Sequence, residues 1–509
     1  MKRIVNALNK LDWGKRAYAV FVLYAAAATA LPAQTFTTLF SFDGTDGEAP
    51  YQAGLVQSTN GDLYGTTCCG AINFSGTVFK ITPGGTLTTL YSFCSQSGCT
   101  DGDGPQAALV QATNGDLYGT TIVGGAYCAS VGGCGTVFKI TPGGTLTTLH
   151  SFCSQSGCPD GSGPGALIQA TNGDFYGVTA FGGANGYGTV FKTTETGTLT
   201  TLYSFCAQSG CTDGAGPYAG LLQAPNGDFY GTTEDGGGCA VGPPGQGCGT
   251  MFKITPSGTL TTLHIFCSQG GVFCSDGRYP SAVVQAANGD FYGTTDGGGA
   301  NNGGTVFKIT LGGTLTTLYS FCAQSGCTDG ESPAAGLVQA SDGNFYGTTW
   351  VGGADTFGGN DGGTIFKITP GGTLTTLYSF CAQSGCADGE NPNSPLVQDT
   401  NGHLYGTTVY GGSDACFLGC GTVFSLSVGL GPFVETQTTS DEVGAVVKIL
   451  GTDLTGATSV SFNGTAAAFT VVSPSLIAAT VPAGATSGKV QVVTPSGTLL
   501  SNKPFRVLP

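Results

Sequence analysis

Residues 108–152 read ALVQATNGDLYGTTIVGGAYCASVGGCGTVFKITPGGTLTTLHSF. Asn114-Gly115 and Pro142-Gly143-Gly144 are turn sequences, and they divide this stretch into segments rich in Thr, Val, Tyr, Phe and Leu, residues that favour strands. The pattern predicts four strands, called A, B, C and D in chain order, at 108–112, 116–121, 136–141 and 145–152. Joined by such short turns, they are expected to form one small antiparallel sheet.

The same pattern occurs seven times along the chain, in units of about 57 residues. The tyrosine of its YGT block stands at Tyr64, Tyr118, Tyr176, Tyr230, Tyr292, Tyr346 and Tyr405. Seven copies of a four-stranded unit predict an all-β fold, a seven-bladed β-propeller with one sheet per blade. A β-solenoid is the alternative architecture, although its coils are usually shorter than these units.

The two ends of the repeat array are each incomplete. Residues 35–42, TFTTLFSF, form a strand D without the rest of a copy, and the seventh copy stops after its strand C at 422–426. We expect these two segments to pair and complete the last blade, because this removes two open sheet edges. The propeller is therefore predicted to span residues 35–428.

Residues 1–33 have the pattern of a secretory signal peptide, with five Lys and Arg residues before an apolar run that ends in small residues. An uncleaved membrane anchor is the alternative, but the run is shorter than the ~20 residues that a span needs. No later stretch is long and apolar enough to cross a bilayer. We predict a secreted or cell-surface protein. The excess of 31 acidic over 16 basic residues argues against nucleic acid as a partner.

The composition changes after the repeats. No cysteine follows Cys420, and apolar residues alternate with polar ones in several short segments between residues 446 and 493. This pattern predicts a separate small β-sandwich at 433–509.

Both parts of the chain resemble known families. The YGTT, GTVFKIT and LTTLYSF blocks resemble the GloVer-type (Gloeo/Verruco) tandem repeats of bacterial surface proteins. Residues 447–469, VKILGTDLTGATSVSFNGTAAAF, and 479–497, ATVPAGATSGKVQVVTPSG, resemble IPT/TIG domains. The first resemblance implies a secreted repeat protein without an assigned activity. Such proteins often end in a C-terminal anchor, but this sequence does not show the hydrophobic tail that is typical of one. The second implies an immunoglobulin-like module that acts as a spacer or an interaction domain.

Eighteen of the 20 cysteines fall into short-range pairs, which predicts local disulfides in an exported protein. The pairs are Cys94/Cys99, Cys153/Cys158, Cys206/Cys211, Cys267/Cys274, Cys322/Cys327 and Cys381/Cys386 after strand D, and Cys128/Cys134, Cys239/Cys248 and Cys416/Cys420 between strands B and C. The state of the adjacent Cys68 and Cys69 stays open, because a bridge between them would be strained. Zinc is the competing interpretation, but no C-x2-C occurs and the three histidines are not clustered near the thiol pairs.

The D–A and B–C connections are expected to leave the same face of the propeller, and their variable lengths indicate a recognition surface. The candidate ligand-binding residues there are particular to single copies: Trp350, Asp355, Asp361, Glu234, Asp235 and Arg278. An aromatic ring beside carboxylates suits a sugar, although a tryptophan packed under its own loop is the alternative. We predict a non-catalytic binding or structural protein whose partner is an extracellular glycan or protein. The alternative is a polysaccharide hydrolase that uses carboxylates of the same face.

A DGxxP motif precedes every strand A. Its aspartates are Asp46, Asp101, Asp160, Asp213, Asp276, Asp329 and Asp388. We interpret them as turn formers and expect no cofactor, with calcium as the alternative interpretation. His150 and His264 replace the tyrosine of LYSF and His403 replaces a turn residue, so the histidines are interpreted as repeat variation and no catalytic residue is assigned.

Overall fold

The computed structural model describes residues 34–127, 134–238, 247–268, 274–354 and 362–508. The predicted signal peptide and the candidates Cys128, Cys239, Asp355 and Asp361 lie outside these ranges. Within them, no helix combines the length and the apolar composition that a membrane crossing requires.

The repeats form seven antiparallel sheets, each with strands A, B, C and D in spatial order from the channel outward. The A strands are Val56–Gln57, Val110–Gln111, Ile168–Gln169, Leu222–Gln223, Val284–Gln285, Val338–Gln339 and Val397–Gln398. The B strands are Leu63–Thr67, Leu117–Thr121, Phe175–Phe181, Phe229–Thr233, Phe291–Gly297, Phe345–Thr349 and Leu404–Thr408. The C strands are Thr77–Ile81, Thr136–Ile140, Thr189–Thr193, Thr250–Ile254, Thr305–Ile309, Thr364–Ile368 and Thr422–Ser427. The D strands are Leu87–Ser92, Leu146–Ser151, Leu199–Ser204, Leu260–Ile265, Leu315–Ser320, Leu374–Ser379 and Thr35–Ser41.

The A strands are shorter than the sequence predicted. In the second blade only Val110–Gln111 pairs with strand B, instead of residues 108–112. Ala108 lines the channel, Leu109 is buried inside the blade, and Ala112 closes the Asn-Gly turn. In the third and fifth blades the DGxxP segment adds a short strand, Ser162–Pro164 and Arg278–Pro280, which pairs with a longer strand B.

The glycine of YGTT is required by packing inside the blade. A Cβ atom on Gly119 would lie 2.6 Å from Phe138 Cζ and 2.7 Å from Leu109 Cδ2, both buried. The last threonine of the block is also fixed, because Thr121 Oγ1 lies 2.9 Å from Thr136 Oγ1 on strand C. Each blade therefore packs around the same small residue at its centre.

Neighbouring blades are joined by aromatic stacking and by glutamine side chains. The Tyr118 ring lies 4.1 Å from the Phe175 ring of the next blade. Gln169 Oε1 accepts a hydrogen bond of 3.0 Å from the backbone N–H of Thr113 in the previous blade. Equivalent contacts recur around the ring, and Gln57 accepts one of 3.1 Å from Thr400 N–H, which links the first blade to the seventh.

The pairing predicted between the two ends of the array is present. Thr35–Ser41 runs antiparallel to Thr422–Ser427, with Thr35 opposite Ser427 and Ser41 opposite Thr422. Phe42 follows this strand and is fully buried, with its ring 5.4 Å from that of Phe79 in the first blade. The first segment of the described chain thus completes the last blade.

Seven of the predicted disulfides are present. They join Cys94 to Cys99, Cys153 to Cys158, Cys206 to Cys211, Cys267 to Cys274, Cys322 to Cys327, Cys381 to Cys386 and Cys416 to Cys420. Cys134 and Cys248 are also disulfide-bonded. Short 3-10 helices lie inside four of these loops, at Ser97–Cys99, Ser209–Cys211, Ser325–Cys327 and Ser384–Cys386. A bridge over so few residues contributes about 2 kcal/mol on the chain-entropy model, so each one braces its own loop.

The residues after the repeats form a β-sandwich. One sheet has the order Glu435–Thr436, Val446–Leu450, Leu476–Thr480 and Phe469–Ser473, and the other has Thr465–Ala467, Ser459–Phe462, Val490–Thr494 and Gly497–Leu500. Ser440–Glu442 pairs in parallel with Arg506–Leu508. Apolar side chains from both sheets form one buried core.

This sandwich sits on the face of the propeller that carries the tight A–B turns. Lys448 Nζ donates to Thr113 O in the second blade at 2.8 Å, and Ser475 Oγ donates to Thr59 O in the first at 3.0 Å. Thr452 contacts the turn of the seventh blade, and Arg506 donates to the backbone carbonyl of Pro225 in the fourth. The module therefore spans turns on opposite sides of the ring.

Candidate functional site

The other face of the propeller carries the mouth of the central channel. A cavity of about 970 Å³ opens there, lined by residues of all seven blades. Its walls come mainly from the segments after DGxxP and from the residues that follow strand B. Both connections leave this face, because the strand direction alternates within each blade.

One position in each repeat decides the chemistry of the cavity. It is the residue directly after the YGTT block, or its variant YGVT in the third copy, and these seven residues are called the mouth ring: Cys68, Ile122, Ala180, Glu234, Asp296, Trp350 and Val409. Five of them line the cavity, among them two carboxylates and the tryptophan. Because the backbone repeats, these side chains stand at the same height around the channel.

Aromatic side chains form one wall of the mouth. The Trp350 ring lies 6.2 Å from the Tyr51 ring and 6.2 Å from the Tyr410 ring, in edge-on arrangements. On another part of the rim the Tyr218 and Phe181 rings meet edge-on at 5.9 Å. Trp350 is half-buried, and it lines the cavity.

Carboxylates lie on the wall formed by the fourth and fifth blades. Burial, with Asp235 and Asp296 close by, raises the pKa of Glu234 to about 7. The side chain is accessible to solvent, but protein surrounds it because it stands inside the concave mouth. Burial also raises the pKa of Asp296, against the opposing effects of the Ser332 hydroxyl and of Arg278.

The aromatic and acidic walls act on each other across the channel. Burial raises the pKa of Tyr51, and the charges of Glu234 and Asp296 raise it further, although Tyr51 sits in the first blade. Burial, Glu234 and Asp235 together raise the pKa of Tyr218 to about 12. These groups thus share one electrostatic environment of low polarity.

The structure places the predicted ligand-binding residues differently. Trp350 and Glu234 line the cavity, and Asp235 stands beside Glu234, where its Oδ1 accepts a hydrogen bond of 3.3 Å from Gly247 N–H. Arg278 does not line the cavity: its Nη2 donates to Asn302 Oδ1 at 3.3 Å. The Arg278 guanidinium also lies 5.4 Å above the Tyr279 ring.

The cavity residues that sequence reasoning missed include Asp296, Tyr51, Tyr218 and Asn393. Asp296 follows YGTT as Glu234 and Trp350 do, so aligning the seven copies at that block would have found it. Tyr51, Tyr218 and Asn393 occupy a second equivalent position, directly after the proline of DGxxP.

The DGxxP aspartates reach back into the loop before them. Asp213 is fully buried, and its carboxylate accepts hydrogen bonds from the Tyr203 hydroxyl at 2.8 Å and from Ala207 N–H at 2.9 Å. His150 replaces such a tyrosine and contacts Asp160 at 3.1 Å. Protein donors occupy these carboxylates, so they brace the loop before them. Asp213 also lies within a turn, which the hydrogen bond from Gly214 N–H to Cys211 O closes.

Cys68 and Cys69 are free thiols. A hydrogen bond from Cys68 lowers the pKa of Cys69, and the same contact together with burial raises the pKa of Cys68. Elsewhere in the described residues, every group of side chains close enough to share a metal ion includes disulfide-bonded cysteines, which are not available as thiolate ligands.

Some solved structures resemble the chain at low sequence identity. A fungal alcohol oxidase of the AA5 family, in complex with copper, is 14% identical with a TM-score of 0.50, covering 93% of this chain and 99% of that one. The extracellular domain of a protein named as a hybrid two component system from B. thetaiotaomicron is 12% identical with a TM-score of 0.46. That match covers 91% of this chain, which spans about half, 53%, of the other. At these identities the likeness concerns the fold alone.

Family models match nearly all of the repeat region. The Gloeobacter/Verrucomicrobia repeat matches residues 23–243, 129–356 and 242–468, and the IPT/TIG domain matches residues 432–507. None of the curated proteins compared with the chain matches it. The two matches together suggest an extracellular binding or structural protein. The chain belongs to the Gloeobacter/Verrucomicrobia repeat family and carries an IPT/TIG domain after its repeats.

Proposed function

We propose that the protein is a non-catalytic, extracellular glycan-binding protein that holds a short stretch of sugar in the mouth of its channel. The observation that carries this proposal is the placement of Trp350 and Tyr51 in one cavity with Glu234 and Asp296. Aromatic rings offer an apolar surface for the C–H face of a sugar, and carboxylates accept hydrogen bonds from its hydroxyl groups. The local disulfides fit the oxidising environment of an exported protein.

The shape of the site favours a glycan over a folded protein partner. Protein interfaces are typically broad, whereas small-ligand sites are concave and occupy about 300–1,000 Å³. The cavity of about 970 Å³ lies at the upper end of that range. It is large enough for several sugar units, and its polar groups converge from different blades.

Binding to a panel of purified oligosaccharides tests this proposal, with the protein from Gln34 onward. Trp350→Ala is expected to abolish saturable binding, because it removes the centre of the aromatic wall. Phe417→Ala is the matched control, since Phe417 is 99% exposed on a loop and does not line the cavity. Equal loss in both variants, or no binding by the parent protein to any glycan, would overturn the proposal.

A chelator separates this site from the calcium interpretation. The DGxxP aspartates already accept hydrogen bonds from protein groups, so we expect glycan binding to be unchanged in EDTA. Loss of binding in EDTA, restored by added Ca²⁺, would show that the calcium interpretation is right.

A glycoside hydrolase is the second candidate, and one observation favours it. Glu234, with a pKa raised to about 7, stands near Asp296, and a protonated carboxyl beside an ionised one is the acid–base arrangement of such enzymes. Release of reducing ends from any glycan of the panel, abolished by Glu234→Gln, would replace the binding proposal. We expect no release.

A further inference from the structure

The rim of the channel is strongly acidic, and Arg278, which acts on Asp296 through its charge, is the single basic side chain at the rim positions defined next. Three positions of each repeat lie around the mouth. They are the mouth-ring residue, the residue that follows it in sequence, and the third residue of DGxxP. The last two pair with each other across the B–C and D–A connections. Besides Cys68, Cys69 and Tyr410, these positions hold eight ionisable side chains. They are Glu48, Asp103, Glu234, Asp235, Asp296, Glu331, Glu390 and Arg278. These positions therefore carry seven carboxyl groups and one guanidinium, and Glu234 and Asp296 are the two of the seven that line the cavity.

These carboxylates have no ion-pair partner within the described ranges. The ion pairs found there lie elsewhere, for example between Lys253 and Asp228 at 3.5 Å at the tight-turn face. Burial raises the pKa of Asp103, Asp235 and Glu390 as it does at Glu234. A cation in the mouth would supply the missing charge, whereas an acidic sugar would be repelled.

Two further observations indicate a donor-rich, positively charged group. Asn393 lines the cavity, is 4% exposed, and its Oδ1 has no hydrogen-bond partner within the described part of the chain. The rings of Trp350, Tyr51 and Tyr410 lie on the same side of the mouth. An ammonium group has three N–H donors and no acceptor, and it is attracted to aromatic faces within about 6 Å.

From these observations we propose that the ligand is an amino sugar with a free amine, carried on a glycan of the glucosamine type. This inference rests on the proposed function, because it names the class of glycan that the same site takes. The amine would lie between the carboxylates of Glu234 and Asp296, with the sugar ring against the aromatic wall. The unpartnered Asn393 oxygen offers a further acceptor.

Three tetrasaccharides that differ only at nitrogen test the proposal by calorimetry: β-1,4-linked glucosamine, N-acetylglucosamine and N,N,N-trimethylglucosamine. The free amine is expected to bind at least ~10-fold more tightly than the acetylated form. The trimethylated form keeps the positive charge but has no N–H donor, so its affinity should lie between the two. Raising the salt from low to physiological concentration should reduce this preference, because screening weakens the charge contribution.

Variants locate the effect. Glu234→Gln combined with Asp296→Asn should remove the preference for the amine, so that the free-amine and acetylated tetramers bind with similar affinity. Trp350→Ala should abolish binding of the tetramers, and with it the preference for the amine. Asp228→Asn on the opposite face should change neither the binding nor the preference. Equal or tighter binding of the acetylated tetramer would overturn the amine inference and leave glycan binding intact. Failure of all three tetramers and of the wider panel would instead overturn the proposed function.

Discussion

Phe42→Ala tests whether the strand at the beginning of the described chain holds the ring closed. Phe42 is fully buried between the last and first blades, with its ring 5.4 Å from those of Phe40 and Phe79. Phe205 is its equivalent inside the ring, fully buried and 5.1 Å from Phe252 of the next blade. Replacing a buried phenylalanine by alanine costs about 3–5 kcal/mol. If closure is as firm as any other junction, both variants should lose about that amount.

Guanidinium unfolding with the disulfides intact measures this loss. The sequence contains two tryptophans, and in a protein that starts at Gln34 only Trp350 remains as a fluorescent reporter. It contacts Tyr51 of the first blade and Tyr410 of the seventh, so its emission responds to opening of the ring. A loss below about 1 kcal/mol for Phe42→Ala, beside a loss of about 3–5 kcal/mol for Phe205→Ala, would refute the closure.

Three other properties can be measured on the same protein. Tyr203→Phe removes a donor to the buried Asp213 and should lower the free energy of unfolding by about 1–3 kcal/mol. Tyr203→His should lower it less, because histidine fills this position in two other repeats. Equal losses in the two variants would contradict the role of this contact. Burial and nearby carboxylates raise the pKa of Glu234 from 4.5 to about 7, so the folded protein keeps a proton that the unfolded chain releases. Stability should therefore fall as the pH rises between those values, and thermal unfolding of Glu234→Gln should lack that part of the slope. Thiol labelling should find two reactive groups in denaturant, Cys68 and Cys69, and Cys69 should react first in the native protein because its pKa is lowered and it is less buried.

The fold could be predicted from the sequence because the pattern of the four-stranded unit occurs seven times. The strands are fixed by local turn chemistry. An Asn-Gly or Asp-Gly dipeptide joins strands A and B in all seven copies, and the C–D turn ends in glycine in six copies, although Pro-Gly-Gly itself occurs in three. The closing pair was predictable because the segment at 35–42 has the pattern of a strand D and the last copy lacks one. The disulfides followed from spacing, since partners five residues apart can meet without help from the rest of the fold.

The site was only half predictable. Trp350 and Glu234 stand out as residues particular to one copy, but their approach to Tyr51 depends on the arrangement of blades around the channel. That arrangement brings together residues of the first, fourth and sixth repeats, and no local sequence pattern predicts this proximity. Arg278 was chosen because it is the only arginine of the repeats, yet its side chain turns to Asn302 and stays out of the cavity lining.

The position of the immunoglobulin-like module on the propeller bears on how a long molecule can approach the channel. Its contacts run from Thr113 in the second blade to Pro225 in the fourth and Thr400 in the seventh, so it lies across the far end of the ring. We therefore expect a ligand to enter the channel from the mouth, the end that stands clear of the module. On that expectation a polymer presents a terminus or the tip of a branch to the cavity and does not thread through the ring.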